Sequence, residues 1–386
     1  MSKSATLYVD ITPSVLKWLR ESIGYEIIDV SKELGIHQET IIHWENGDNK
    51  PTFENILSLA ELYKRPVSAF YLPGPMKEPA PPKDYRRFSP KESKISPNDL
   101  YLIRKTQYLH EISNELLKDL DEDPNPHVNR VFLTDDPEYV SGYERGEANF
   151  LIDEQKKWKD HWTAFNALKK IIESKNILIF QFSFDERNIR GFVLKDMKPY
   201  TIVLNSSTKD HISARIFTLL HEYAHILLNE STSALCYPGD TPILENNKEA
   251  QMERWCDNFA GCFLMPRDPF VKDFSSDLSY EKIRWLSNKY KVSKLAVLTR
   301  LFVLDEIDWP QYEAQRSIIT QKNFKTDDTS GGGPKIPSKT AIRERGRKFC
   351  SLILESNRRN LITTNDALEF LDLKLSNINE LKKELA

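Results

Sequence analysis

The chain has 386 residues, 40% of them hydrophobic and 29% charged, which is apolar material for more than one core and argues against wholesale disorder. At roughly 150 residues per domain, two or three domains are expected. The formal net charge of -3 excludes a chain that coats nucleic acid through bulk charge, although a local basic surface stays open. No apolar run approaches the roughly 18 residues of a membrane-spanning helix, and the opening MSKSATLYVD lacks the hydrophobic stretch of a secretory signal. A cytoplasmic protein with no membrane partner is therefore the expectation. Cys236, Cys256, Cys262 and Cys350 show no CxxC or zinc-ribbon spacing and read as reduced thiols.

Residues 1–74 read as a small helical domain. Ile27, Val30 and Leu34 recur at helical spacing, Gly35 and Ile36 make a turn, and Ile41 and Trp44 lie on a second short helix. The segment PTFENILSLAELYKRPVSAFYL adds two more, giving about five short helices. Over residues 11–72 this part, through GIHQETIIHWENGDNKPTFENILSLAELY, resembles the XRE (Cro/repressor-like) helix-turn-helix family. The resemblance implies that the second motif helix enters the major groove of DNA, with Gln38, Glu39 and His43 as base readers and Glu45-Asn46-Gly47 as a structural end. Gln suits adenine, whereas Glu only accepts, for example from cytosine. Charge opposes tight binding, since residues 1–75 hold seven Lys or Arg against ten Asp or Glu. Such a reader needs a homodimer for avidity or binds DNA weakly; the alternative is a protein-docking or dimerisation module.

The proline-dense LPGPMKEPAPPKDYRRF, residues 72–88, suits neither helix nor strand. Beyond it, helical patterns such as LYLIRKTQYLHEISNELLKDL alternate with the turn DEDPNPH, so residues 75–175 read as linker and connecting helices without visible chemistry.

From residue 176 the period changes. ILIFQFSF, IRGFVLK and YTIVLNSS read as three short strands, a long helix follows from about 213 to 228, and further helices are expected at 249–264, 279–289 and 293–305. Within the long helix, HEYAH places His221 and His225 one turn apart on one face. That spacing suits one Zn2+ at about 2.0 to 2.1 Å from each ring, with Glu222 beside it as general base. Buried imidazoles without a metal would form a costly desolvated cluster. A catalytic zinc also needs a third protein ligand, and the helix EAQMERWCDNFAGCFLMP supplies carboxylates.

Three features in this order, the strand YTIVLNSS, the helix FTLLHEYAHILLN and the pattern ExxC(D/N)xFAxxxLMP, resemble the ImmA/IrrE family of metallopeptidases over about residues 176–305. The resemblance implies Glu253 as third zinc ligand, which also resembles the gluzincin scheme of two His from one helix and one Glu from the next. Asp257, one turn after Glu253, is placed to orient a ligand histidine, with a plain surface carboxylate as the alternative. Glu249 is a second candidate ligand. Cys256 and Cys262, six residues apart, face different sides and read as core. His211 reads as a turn residue with catalytic assistance as the alternative, and the choice between Tyr200 and Tyr237 as oxyanion donor stays open. Zn2+ is the expected cofactor, with Mn2+ as the alternative. The expected reaction is peptide-bond hydrolysis, Glu222 moving the proton and the substrate adding to the strand edge at 189–206.

The segment LSNKYKVSKLAVLTRLFVL, 286–304, reads as helix, turn and helix; the resemblance implies that it completes this domain, here bounded as 176–310, with a separate DNA reader as the alternative. After TDDTSGGGP, residues 335–386 read as two or three short helices; AIRERGRKFCSLILESNRRN carries six basic against two acidic residues, a pattern that suits a solvated amphipathic helix, with contact to nucleic acid or an acidic partner as the alternative. The expected fold class is α+β and mostly helical: a five-helix N-terminal domain, a zincin-like metallopeptidase domain with a small sheet, and a small helical C-terminal region. The resemblances together imply a regulatory metallo-endopeptidase that cleaves a transcriptional repressor or antitoxin-like partner. The alternative is a non-catalytic regulator whose zinc domain senses or scaffolds.

Overall fold

The computed structural model describes residues 7–77, 95–185, 189–207, 212–228, 248–323 and 336–385. It divides into two compact units, Met1–Pro81 with Tyr85–Gln107, and Pro82–Asp84 with Tyr108–Ala386.

The first unit is built from α1 (Pro13–Ser22), α2 (Ile27–Leu34), α3 (Gln38–Asn46), α4 (Phe53–Tyr63) and a 3-10 segment Val67–Tyr71. The last of the five expected helices is thus a 3-10 turn, set by Pro66, whose extended backbone caps it. Gly35 ends α2 at φ 65° and Gly47 ends α3 at φ 85°, left-handed positions that favour glycine. Thr52 and Asn55 form a reciprocal capping box that starts α4. The helices bury Val15, Leu19, Val30, Ile41, Ile56 and Phe70 in one core.

The second unit contains a three-stranded sheet of β1 (Leu178–Phe182), β2 (Gly191–Leu194) and β3 (Thr201–Asn205), in the order β1-β3-β2. β3 runs parallel to β1, pairing Leu178 with Thr201, and antiparallel to β2, pairing Gly191 with Leu204. All three strands are buried along their length, which explains their continuous apolar runs. α5 (Pro97–Asp119) begins in the first unit and ends in the second. It is followed by α6 (Pro137–Glu147), α7 (Ile152–Lys157) and α8 (His161–Ser174). α9 (Ile212–Leu228) packs against α8, β2 and β3, while α10 (Lys248–Leu264) lies between α9 and α6. α11 (Arg267–Phe274), α12 (Tyr280–Tyr290), α13 (Lys294–Val303) and α14 (Trp309–Asn323) follow, and α13 packs against both α12 and α14. The C-terminal α15 (Pro337–Arg358), α16 (Thr364–Leu371) and α17 (Ile378–Leu385) pack together, with α15 also against β1.

The region read as connecting helices joins the same core as α9 and α10, through Val140, Phe150, Phe165, Leu168 and Ile172. Together with Arg300 of α13, it also holds the end of α10. Arg145 Nη1 donates to the Phe263 carbonyl at 2.7 Å, Gln155 Nε2 to the Leu264 carbonyl at 2.8 Å, and Arg300 Nε to the Met265 carbonyl at 3.0 Å. These side chains satisfy carbonyls that a helix end leaves without intrahelical partners.

Candidate metal centre

α9 is enclosed from Leu219 to Leu228, so its polar residues are buried with its apolar ones. The i, i+4 spacing brings the rings of His221 and His225 together edge-to-face, centroids 4.8 Å apart. α10 brings Glu253 to the same point. His221 Nε2 lies 3.0 Å from His225 Nε2 and 3.2 Å from Glu253 Oε2, and His225 Nε2 lies 3.5 Å from Glu253 Oε1. Behind His221, Asp257 Oδ1 sits 2.8 Å from Nδ1.

The carboxylate of Asp257 only accepts, so the His221 proton belongs on Nδ1 and Nε2 is left with its lone pair. Burial pushes His225 below the ordinary histidine range, favouring the neutral ring. For Glu253, burial alone would raise the carboxyl, but the neighbouring rings of His221 and His225 outweigh it and favour the ionised carboxylate. Neutral imidazoles and an ionised carboxylate are the states in which these groups bind a metal.

Among the described residues His221, His225 and Glu253 form the cluster suited to a metal ion, all donor atoms lying within 4.8 Å of one another. Tetrahedral ligands at about 2.0 to 2.1 Å from zinc stand roughly 3.3 Å apart. The observed 3.0 to 3.5 Å separations fit that spacing, and three electron-pair donors facing one another call for a cation between them.

Glu222 is fully buried beside this cluster. The start of β2 passes over it: a Cβ added at Gly191 would stand 3.2 Å from Glu222 Oε1 and 2.9 Å from Thr218 Cγ2. Glycine thus permits the strand to approach the helix at this point. α9 is further fixed by Tyr223, whose hydroxyl donates to Glu144 Oε2 at 2.5 Å, and by Lys195 Nζ, which donates to the His225 carbonyl at 3.1 Å. Glu144 and Lys195 escaped the sequence reading because both act from elements remote in the chain.

Glu249 begins α10 but does not belong to the donor cluster. Tyr200 lines a cavity of about 140 Å³ with Arg130, Lys198, Ile226 and Leu227. His211, Cys236 and Tyr237 lie outside the described residues. Cys256 and Cys262 are buried, and Cys256 Sγ lies 3.5 Å from His225 Nδ1.

In the first unit, Gln38, Glu39 and His43 are exposed on α3, with His43 Nδ1 2.9 Å from Asp48 Oδ2. Glu45 points inward, accepting from Arg20 Nε at 2.7 Å and Nη2 at 2.9 Å. The basic C-terminal stretch is largely consumed internally. Arg345 donates to the Phe370 carbonyl, Arg347 to the Glu384 and Leu385 carbonyls, and Arg358 and Arg359 both pair with Glu355.

Two family models match the chain. Residues 172–302 match the peptidase-family model described as IrrE N-terminal-like domain. Residues 16–70 match a helix-turn-helix model. No curated protein matches the chain significantly.

Proposed function

We propose that the chain, whose residues 16–70 and 172–302 match a helix-turn-helix model and the IrrE N-terminal-like peptidase model, is a cytoplasmic zinc-dependent endopeptidase that cleaves a transcriptional repressor or antitoxin-like partner. The observation that carries this reading is the convergence of His221, His225 and Glu253 beside the buried Glu222. These three residues would hold the metal, with Mn2+ as the alternative ion. A zinc ion there supplies Lewis acidity, lowering the pKa of water towards 7 and polarising the scissile carbonyl. Glu222 accepts the proton of the attacking water at a carboxylate oxygen and delivers it to the leaving nitrogen. Asp257 holds the His221 ring in the tautomer that leaves Nε2 bare.

The β2 edge offers a substrate track. Asn205 N donates to the Arg190 carbonyl at 2.8 Å, so in the antiparallel ladder the backbone groups of Phe192 and Leu194 face β3 and those of Gly191 and Val193 face outward. An extended peptide adds along that side as a further strand, passing Glu222 where β2 crosses it.

In the first unit, Gln38, Glu39 and His43 contact bases in the major groove. Charge favours a second role for the same unit. Arg20 is tied to Glu45, Lys17 to Glu21 and Lys50 to Asp10, which leaves few cations for phosphate. Docking on a like domain of the substrate repressor, or on a second copy, then raises the effective concentration of peptidase near its target.

The test is incubation of zinc-loaded protein with the repressor encoded beside this gene, with product masses read by mass spectrometry. Discrete fragments are expected with wild type and none with Glu222→Gln. Absence of cleavage with either Zn2+ or Mn2+ would replace this reading with the non-catalytic regulator.

A further inference from the structure

Three residues of α10 turn towards the metal-binding histidines of α9: Glu253, Cys256 and Asp257, at i, i+3 and i+4. Glu253 meets both Nε2 atoms and Asp257 supports His221, while the sulfur of Cys256 lies 3.5 Å from His225 Nδ1. His225 and Cys256 are both 0% exposed, so water does not substitute for either partner.

We propose that Cys256 is the positioning residue of His225, its sulfur receiving the Nδ1–H and so keeping Nε2 bare and aimed at the metal. The inference rests on the metal-site reading above. A fully enclosed ring N–H carries a penalty if it has no acceptor, and the sulfur is the acceptor this nitrogen reaches among the described residues. A neutral thiol accepts weakly compared with a carboxylate. The two histidines are therefore held unequally: a carboxylate at 2.8 Å supports His221, whereas His225 has a thiol behind it at 3.5 Å. His225 is the ligand more easily released, and Cys256 is what retains it.

Plain core packing does not account for this placement. Cys262, six residues further along the same helix, is also buried, but its sulfur meets Arg300 Nη1 at 3.2 Å, away from the metal donors. It provides an internal control for the loss of a buried thiol.

The experiment is chelator competition for Zn2+ with wild type, Cys256→Ala and Cys262→Ala, alongside thermal melts of each metal-free protein. Cys256→Ala is expected to weaken zinc binding about tenfold, the lower end of such supporting interactions, and to shift the visible bands of the Co2+-loaded protein. Cys262→Ala is expected to leave both unchanged even where it lowers the melting temperature. Equal zinc affinity in folded Cys256→Ala and wild type overturns the proposal. Should the alanine variant fail to fold, nitrogen-15 NMR of histidine-labelled wild type decides: a His225 ring proton on Nδ1 is expected, and a proton on Nε2 in the metal-free protein overturns it. If wild type itself binds no zinc, the metal-site reading fails instead, so the two failures are separable.

Discussion

At the scale of single residues, Glu45 sits on α3, the helix expected to read DNA, yet serves the interior. Its carboxylate and the Arg20 guanidinium form a two-point pair, both side chains at most 6% exposed, and Arg20 also donates to the Tyr25 carbonyl at 2.8 Å. Glu45→Ala leaves a buried guanidinium uncompensated and should destabilise the first unit by about 3 kcal/mol in denaturant titration. A loss below about 1 kcal/mol would mean the pair behaves as a solvated surface bridge. The resemblance marked Glu45 as structural, and HEYAH announced the meeting of His221 and His225 on one helix face because helical periodicity is a local property. Glu253 required the resemblance, since periodicity does not say which carboxylate of a second helix faces the first. The contact of Cys256 with His225 spans 31 residues and had no sequence signal beyond its position three residues after Glu253.

At the scale of elements, α11 is pinned to α7 and α12 through Asp273, which pairs with Lys156 at 2.8 Å and Lys289 at 2.9 Å and accepts from the Tyr290 hydroxyl at 2.7 Å. Burial alone would raise this carboxyl, but those partners outweigh it and hold it at about 2, against about 3.9 in an unfolded chain. A depressed carboxylate stabilises the fold above the unfolded value and loses that contribution as pH falls from about 4 to about 2. Urea midpoints for wild type and Asp273→Asn should therefore differ at pH 7 and converge across that window; an unchanged difference at pH 2 would remove Asp273 as the cause. α15 carries a second test. Gly346 breaks the helix at φ 75°, ψ 160°, where an added Cβ would run into the Glu173 carboxylate and stand 2.9 Å from the Ile179 carbonyl oxygen. Gly346→Ala should cost about 1 to 3 kcal/mol in thermal unfolding, whereas an unchanged melting temperature would show that the kink relaxes freely. The strands and α9 were legible from their apolar runs. α14 was not anticipated, because its polar sequence has little periodicity and its burial is confined to residues such as Ile319. The part of 128–172 in the core was hidden for another reason: Arg145 and Gln155 find their partners more than 100 residues away.

At the scale of the whole molecule, the overall charge of -3 coincides with the excess of ten acidic over seven basic residues in 1–75. If α3 reads DNA with so few available cations, gel-shift affinity should be weak and fall with salt on a shallow slope. A steep slope would point to cations beyond this unit, and a shift insensitive to salt would count against DNA reading. Among the described residues, no helix is long and apolar enough to cross a membrane. The helix-turn-helix and peptidase segments were legible because each carries a compact local signature, whereas the identity of the substrate depends on surfaces that such signatures do not encode. The most direct test of the central claim is a paired measurement on Glu222→Gln, bound zinc by elemental analysis and peptide-bond cleavage by mass spectrometry. The prediction is zinc retained at about the wild-type level with cleavage reduced about a thousandfold; zinc-loaded Glu222→Gln cleaving at the wild-type rate would contradict it.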